Sequence, residues 1–383
     1  MQFRFDEEQE FFRSQVRDTV DRLIRPRVRE IDEKDEFPRD LWEELGSLGY
    51  FGLRHEERWG GMEADTVTSM IFFEELARGS AGFFMSVTVQ MLMGTYFIGR
   101  FGSDAIKERV LQPAIEGRKI TCICFTEDQS GSDLAGCRTT ATRDGDDWIL
   151  TGTKQWITNG PIVDAATVMA TTDPSAGLRG LSFFLVEEGM EGFAKGQRFH
   201  KLGTKGAPTG ELVLDHVRVP ADHHLGEETG RGLEYSTDIL NQVRVMTGLA
   251  ACSIADEAMK DAAGFARGRV AFGKPIAKYQ LIREKFGRFW VKYEAARTFL
   301  YRVAWMIDQG MECRKEAMAA KWLASEMCLE AVDEATRIYA GNGFSMEYDA
   351  QRYFRDARFL LSGGGTHEVL VNFLGGQYLR GVT

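Results

Sequence analysis

Hydrophobic positions along this chain change their period twice. Up to about residue 118 they follow a helical beat, with Phe12, Val16, Val20 and Leu23 in one stripe. Asp6 stands where an N-cap belongs, and Gln9 follows three residues on, the capping-box arrangement. Pro38 opens a second helix that Gly46 to Gly49 closes, and Ile71 to Arg78 reads as a third. Between about 119 and 230, short β-prone runs take over: Thr121 to Thr126, Trp148 to Thr151, Ala166 to Thr171, Ser182 to Val186 and Glu211 to Val219. Turn residues separate them, as in Arg143 to Asp147, Asp173-Pro174 and Glu188-Gly189. No long helix intervenes, so parallel βαβ units are not expected, and the pattern predicts a small antiparallel barrel or sandwich. From about 231 helical spacing returns. Ala319, Leu323, Met327, Ala331 and Ala335 predict an amphipathic helix, with Glu316, Lys321, Glu326, Glu330 and Glu334 elsewhere around it. The expected fold class is α+β in three domains: residues 1–118 helical, 119–230 β, and 231–383 a helical bundle.

Composition narrows the functions. With 383 residues, 44% of them hydrophobic, the chain can bury a large core. A formal net charge of −10 argues against nucleic acid as a partner. The most apolar run, Ala81 to Ile98, is interrupted by Ser86, Thr88, Gln90 and Thr95, so it reads as a buried helix and no membrane partner is expected. The opening MQFRFDEEQE is acidic and lacks a signal-peptide pattern, which makes a cytoplasmic setting the default. The six cysteines are then expected as reduced thiols. No H-E-x-x-H occurs, and His223-His224 stands alone, so no metal is expected. The glycine-rich dinucleotide fingerprint, the Walker loop and the G-x-S-x-G elbow are all missing.

Five short stretches carry candidate chemistry. Cys124-Phe125-Thr126-Glu127-Asp128-Gln129-Ser130-Gly131-Ser132-Asp133 is a strand end running into a loop of hydroxyls, acids and a glycine, suited to a polar ligand edge. In Lys154-Gln155-Trp156-Ile157-Thr158-Asn159-Gly160, Trp156 and Thr158 share a strand face, so an indole lies beside a hydroxyl. The others are Arg269 to Ile276 with Gln280; Arg337 to Phe344 with Arg352 to Arg358; and Gly363-Gly364-Gly365-Thr366-His367-Glu368. Singly, each reads equally well as a turn or a solvated face.

Together, in this order and over nearly the whole length, they resemble the acyl-CoA dehydrogenase family of flavoproteins. The resemblance implies an N-terminal helical domain, a middle β domain and a C-terminal four-helix bundle. It implies FAD as cofactor, an acyl-CoA or enoyl-CoA substrate, a homotetramer, and an electron-transfer flavoprotein as partner. By the same resemblance Phe125 and Thr126 contact the isoalloxazine, while Gly131 and Ser132 lie near the flavin phosphates and the thioester. Trp156 packs on the flavin and Thr158 bonds near N5. Arg269, Phe272 and Gln280 reach the FAD of a neighbouring subunit, Gly341 and Arg337 approach the diphosphate, and Thr366 and Glu368 close the cofactor site. Asn241 and Arg244 fall where the family has a polar residue on the pantetheine and an arginine.

The sequence also departs from the family's pattern. Asp128 replaces a proline and Arg337 a glutamine. More consequentially, Gly364 stands where the family's catalytic glutamate is expected, Gly363 where a tyrosine is, and Val243 at the alternative base position. A positioned base contributes about 10²- to 10⁴-fold, which glycine does not supply. Glu234 and Asp238, near Arg244 in the sequence, are weak replacements. The readings left open are a relocated base, a substrate with an already acidified proton or one that loses a different group, solvent as base with low turnover, enoyl-CoA reduction, desulfinase-like lyase chemistry, and a base-less subunit of a heteromer.

Overall fold

The computed structural model describes residues 4–381, without the side chain of Asp238. Helix α1 (Glu7–Thr19) starts as its sequence dictates: Gln9 N donates to the Asp6 carboxylate at 2.8 Å, and Asp6 N donates back to the Gln9 side chain. Helix α2 spans Arg39–Ser47. Helix α3 (Thr66–Gly79) is longer than the expected third helix, because Asp65 accepts from Thr68 N and starts it earlier. Ser80 accepts from Phe83 N and starts α4 (Ala81–Thr88). The helical segment Ala81–Phe101 is long and apolar enough to cross a membrane, yet it is mostly buried in the fold.

The β region contains seven strands: β1 (Thr121–Cys124), β2 (Thr140–Asp144), β3 (Asp147–Thr158), β4 (Ala165–Thr171), β5 (Leu181–Glu187), β6 (Phe193–Arg198) and β7 (Thr209–Val219). They form one sheet in the order β1-β4-β2-β3-β7-β6, with β5 also on β4. Two of these strands escaped the sequence pattern. β2 is half-exposed beside a charged turn, and β6 is an edge strand with little apolar content. The sheet is mixed, which corrects the antiparallel expectation. β1 runs parallel to β4 along four residue pairs, and the β2–β3 hairpin occupies the connection where a crossover helix usually lies. The sheet encloses its own core, including Trp148, Leu150, Val168, Phe184, Leu212 and Val217.

The C-terminal region packs α5 (Thr237–Gly268), α6 (Gln280–Asp308), α7 (Arg314–Tyr339) and α8 (His367–Leu379). Its core is continuous with that of the N-terminal helices. The buried face of α7 runs through Ala317, Lys321, Ala324, Cys328, Ala331 and Ala335, so Lys321 lies inside rather than outside. A strict four-residue spacing drifts about 40° per step around a helix, whereas alternating threes and fours keep one face. The expected stripe therefore left the core at its N-terminal end, where Ala319 and Leu323 are only half-buried.

Candidate active site

The first two motifs meet because β3 runs back beside the loop that follows β1. Gln155 N donates to Thr126 O at 2.8 Å. Beneath them lies an ion pair that the sequence did not single out. Lys154 Nζ, fully buried, is 2.7 Å from Glu127 Oε1 and also donates to Phe125 O. Glu127 further accepts from the backbone N–H of Arg138 and Thr139 and from the Cys137 thiol. Burial alone would raise the Glu127 pKa, but Lys154 and these donors bring it down to about 2. The alternation of β3 is the signal for this pair: Lys154 lies on the buried face between Leu150 and Ile157.

Over this foundation the ligand-facing groups are left open. A bulge between Lys154 and Ile157 gives Trp156 a φ of 59° and turns its indole outward, 58% exposed, against the Phe199 ring at 4.5 Å. Phe125 is half-buried, 5.4 Å from the Phe183 ring, and Thr126 and Thr158 are half-buried beside it. Gly131 and Ser132 are exposed, and no atom lies within 4 Å of where a Gly131 side chain would begin. An aromatic face, hydroxyls and an open glycine fit a planar heteroaromatic cofactor with a phosphate tail.

A second set gathers where α5, α7 and the start of α8 converge. Gly364 has a φ of +73°, and a side chain there would begin 3.4 Å from Thr247 Oγ1 and 3.8 Å from Arg244 Cα. Lys321 Nζ, wholly buried, donates to Leu360 O at 2.7 Å and to Gly365 O at 2.9 Å, holding both ends of this turn. Burial, then the nearby Arg244, lowers the Lys321 pKa to about 8. Arg244 Nη1 donates to Asn241 Oδ1 at 3.0 Å, while its buried Nε has no partner. Burial, reinforced by Arg314, brings the Arg244 pKa down to about 10. Thr366 caps α8 by accepting from Val369 N, and Glu368 is exposed in its first turn.

Of the two candidate bases from the sequence, only Glu234 has a described side chain. Glu234 is exposed with both oxygens on Arg231, at 2.5 and 2.9 Å. The Asp238 side chain lies outside the described residues. Val243 is buried in the helical core. Among the described residues no group of three His, Cys, Asp or Glu could hold a metal ion, and His223 is buried with Nδ1 on Leu185 O.

The remaining predicted residues are not drawn into either set. Arg269 ends α5, Phe272 is 96% exposed on the following turn, and Gln280 begins α6. Arg337 is exposed and pairs with Asp333 at 2.7 Å, and Gly341 has open space around it.

Helices, curled sheet and helices, with these two sets of groups, are the frame of a flavin-dependent thioester oxidoreductase. Models of the acyl-CoA dehydrogenase N-terminal, middle and C-terminal domains match residues 6–118, 122–217 and 230–379. The chain belongs to the acyl-CoA dehydrogenase family. It is 38% identical to the benzylmalonyl-CoA dehydrogenase of Aromatoleum aromaticum over 97% of each chain. It is 35% identical to the 3-(aryl)acrylate reductase of Clostridium sporogenes, over 95% of this chain and 97% of that one. The solved butyryl-CoA dehydrogenase of Megasphaera elsdenii superposes with a TM-score of 0.95 at 35% identity, covering 99% of this chain and 100% of that one. The protein is therefore an FAD-dependent oxidoreductase of the acyl-CoA dehydrogenase type, acting on a CH–CH bond.

Proposed function

We propose that the enzyme oxidises a CoA thioester that carries a carboxylate on C2, and that loss of this carboxylate as CO2 replaces removal of a C2 proton. The reading rests on Gly364, which the family resemblance aligns with the usual base position, so that no acid stands there. A C2 proton of an ordinary thioester is a very weak acid, so a site without a base is poorly matched to it. Breaking the C2–carboxyl bond leaves the electron pair on C2, which then forms the C2=C3 bond. FAD, when bound, accepts the hydride leaving C3, so thioester and oxidised FAD give CO2, an α,β-enoyl thioester and reduced FAD. The relative named for benzylmalonyl-CoA has a substrate of this kind by its name.

In this reading Phe125, Thr126, Trp156 and Thr158 hold and orient the isoalloxazine, and Gly131 and Ser132 leave room for its phosphates. Glu127 and Lys154 fix the loop that carries the first of these. Asn241 and Arg244 take the thioester arm, while Thr366 and Glu368 close the cofactor pocket. Gly363 and Gly364 together leave space beside C2 and C3 for a bulky acyl group. Arg269, Phe272, Gln280, Arg337 and Gly341 serve the FAD of a neighbouring copy in a homotetramer. That role accounts for aromatic side chains as bare as Phe272 and Phe344, each 96% exposed. An electron-transfer flavoprotein takes the electrons onward. Domain limits at 118 and 230 and a cytoplasmic setting complete the proposal; the six cysteines, all buried and unpaired, accord with the latter.

The test is anaerobic mixing of holoenzyme with matched 2-carboxyacyl-CoA, saturated acyl-CoA and enoyl-CoA esters, following the flavin band, CO2 and product mass. Bleaching with CO2 release from the carboxylated ester alone is expected. Bleaching by the saturated ester at the same rate, product without bleaching, or reoxidation of reduced enzyme by the enoyl ester alone points to a hidden base, a lyase or a reductase respectively, and each overturns the proposal.

A further inference from the structure

Beside the Gly363–Gly365 turn the protein gathers cations, Lys321, Arg244 and Arg314, that make no ion pair with a carboxylate among the described residues. Arg244 is largely buried, its Nη1 bonds only an amide oxygen, and its Nε has no partner. Arg314, the first residue of α7, stacks its guanidinium over the Phe373 ring at 4.6 Å, and makes no ion pair among the described residues. Both line a cavity of about 510 Å³, together with Arg179 and Arg231. Among the described residues the carboxylate lining it is Glu234, and both of its oxygens already bond Arg231. Arg314 is exposed, so the cost falls on Arg244: a charge held partly off water without a counterion costs free energy that an apolar side chain of the same shape would not. Thr237 and Leu240 line the same cavity and show that uncharged neighbours are accommodated there. An arrangement of this kind is complete only with an anionic ligand in place.

Two anionic parts of a carboxylated thioester compete for this role: the acyl carboxylate, and the CoA phosphates at the far end of the pantetheine arm. The position of the glycine turn favours the first. The space that a Gly364 side chain would enter begins 3.8 Å from both Cα and Cγ of Arg244, so the group beside C2 and the orphan arginine share one wall. Resting on the function proposed above, we propose that Arg244 and Arg314 clamp the C2 carboxylate of the substrate and make this pair the determinant of substrate class. The negative charge that a base would have placed beside Arg244 then arrives on the ligand. The clamp holds the carboxylate in the bound substrate and into the early stage of C–C cleavage, so ground and transition states share it. Its loss therefore falls on Kd and KM more than on kcat.

The experiment is equilibrium titration of holoenzyme with three non-reacting probes: a CoA thioether bearing the C2 carboxylate, the methyl ester of that thioether, and free CoA. Arg314 is exposed, so Arg314→Gln is expected to fold. The variant should weaken the acid about 10-fold or more, the size of a lost charge pair, and the ester and free CoA less than about 2-fold. KM for the carboxylated thioester should rise with kcat within about 3-fold, and Arg314→Lys should recover part of the preference for acid over ester. Equal weakening of all three probes assigns the arginines to the CoA phosphates and overturns the clamp, as does no weakening of any. In either case CO2 release by the wild-type enzyme leaves the functional reading standing. Absence of CO2 from the wild-type enzyme overturns that reading instead, and the acid-against-ester comparison still decides whether the anion site exists.

Discussion

The loop Phe125–Asp133 and the turn Gly363–Gly365 each rest on a wholly buried lysine, but only one of these lysines has a carboxylate. Lys154 meets Glu127 at 2.7 Å, and backbone donors satisfy the rest of that acid. Lys321 meets only the carbonyls of Leu360 and Gly365, with Arg244 nearby as a second cation. Among the described residues the loop's lysine is paired with an acid, whereas the turn's lysine and the adjacent Arg244 have no ion pair. The contrast shows which groups build the site and which await a substrate.

The strongest way to break the contrast is to supply the missing acid. Gly364→Glu places a carboxylate beside Arg244 and should raise oxidation of saturated acyl-CoA by about 10²- to 10⁴-fold, read as anaerobic flavin bleaching. The φ of +73° makes the change cost about 1–2 kcal/mol in stability. No gain in rate would mean that this position does not overlie C2.

Removing the acid's partner on the other side tests whether that pair is structural. Lys154→Met leaves Glu127 buried and unpaired, and should lower stability by about 3–5 kcal/mol with loss of bound FAD, measured by denaturant unfolding and by colour. Adding Glu127→Leu should recover most of the stability; failure to do so would mean that the loop needs the charges themselves.

The two lysine sites should also answer pH in different windows. Glu127 has its pKa lowered to about 2 in the folded protein, against 4.5 ordinarily. The stability it contributes is full above pH 4.5 and is lost as pH falls toward 2; Glu127→Gln should remove that dependence. Lys321 has its pKa lowered to about 8, against 10.5 ordinarily. Between those values the unfolded chain holds the extra proton. Wild-type stability should therefore rise with pH relative to Lys321→Met, by at most about 1.4 kcal/mol per pH unit. Parallel pH–stability curves for wild type and Lys321→Met above pH 8 would contradict the burial of that ammonium. The smallest effect on stability is expected from Thr366→Ala, which removes the α8 cap and should cost about 1 kcal/mol in thermal unfolding, with weaker FAD retention if Thr366 also closes the cofactor pocket.

Much of this was legible before folding. Asp6 with Gln9 marked α1, and the change from helical to alternating period marked the β region, because local capping and face-burial rules act over a few residues. The five motifs likewise carried the family, since their side chains and order are a property of the chain. Strands β2 and β6 were not legible, because neither has an apolar face to betray it. Lys321 was missed for a related reason. Only two carbonyls 39 and 44 residues away make a buried ammonium tolerable, and no local pattern records them.

The sequence by itself determined the order of helical, β and helical segments, the five motifs that carry the family, and a glycine at 364 where the resemblance expects the catalytic glutamate. Local propensity, hydrophobic period and side-chain identity require no partner distant in the chain. Tertiary structure alone decided that β1 and β4 run parallel, that Lys154 finds Glu127, and that Arg244 and Arg314 share one cavity with no ion pair to either among the described residues. These depend on which groups are brought together after water is excluded, and the cost of an unbalanced charge exists only once that has happened.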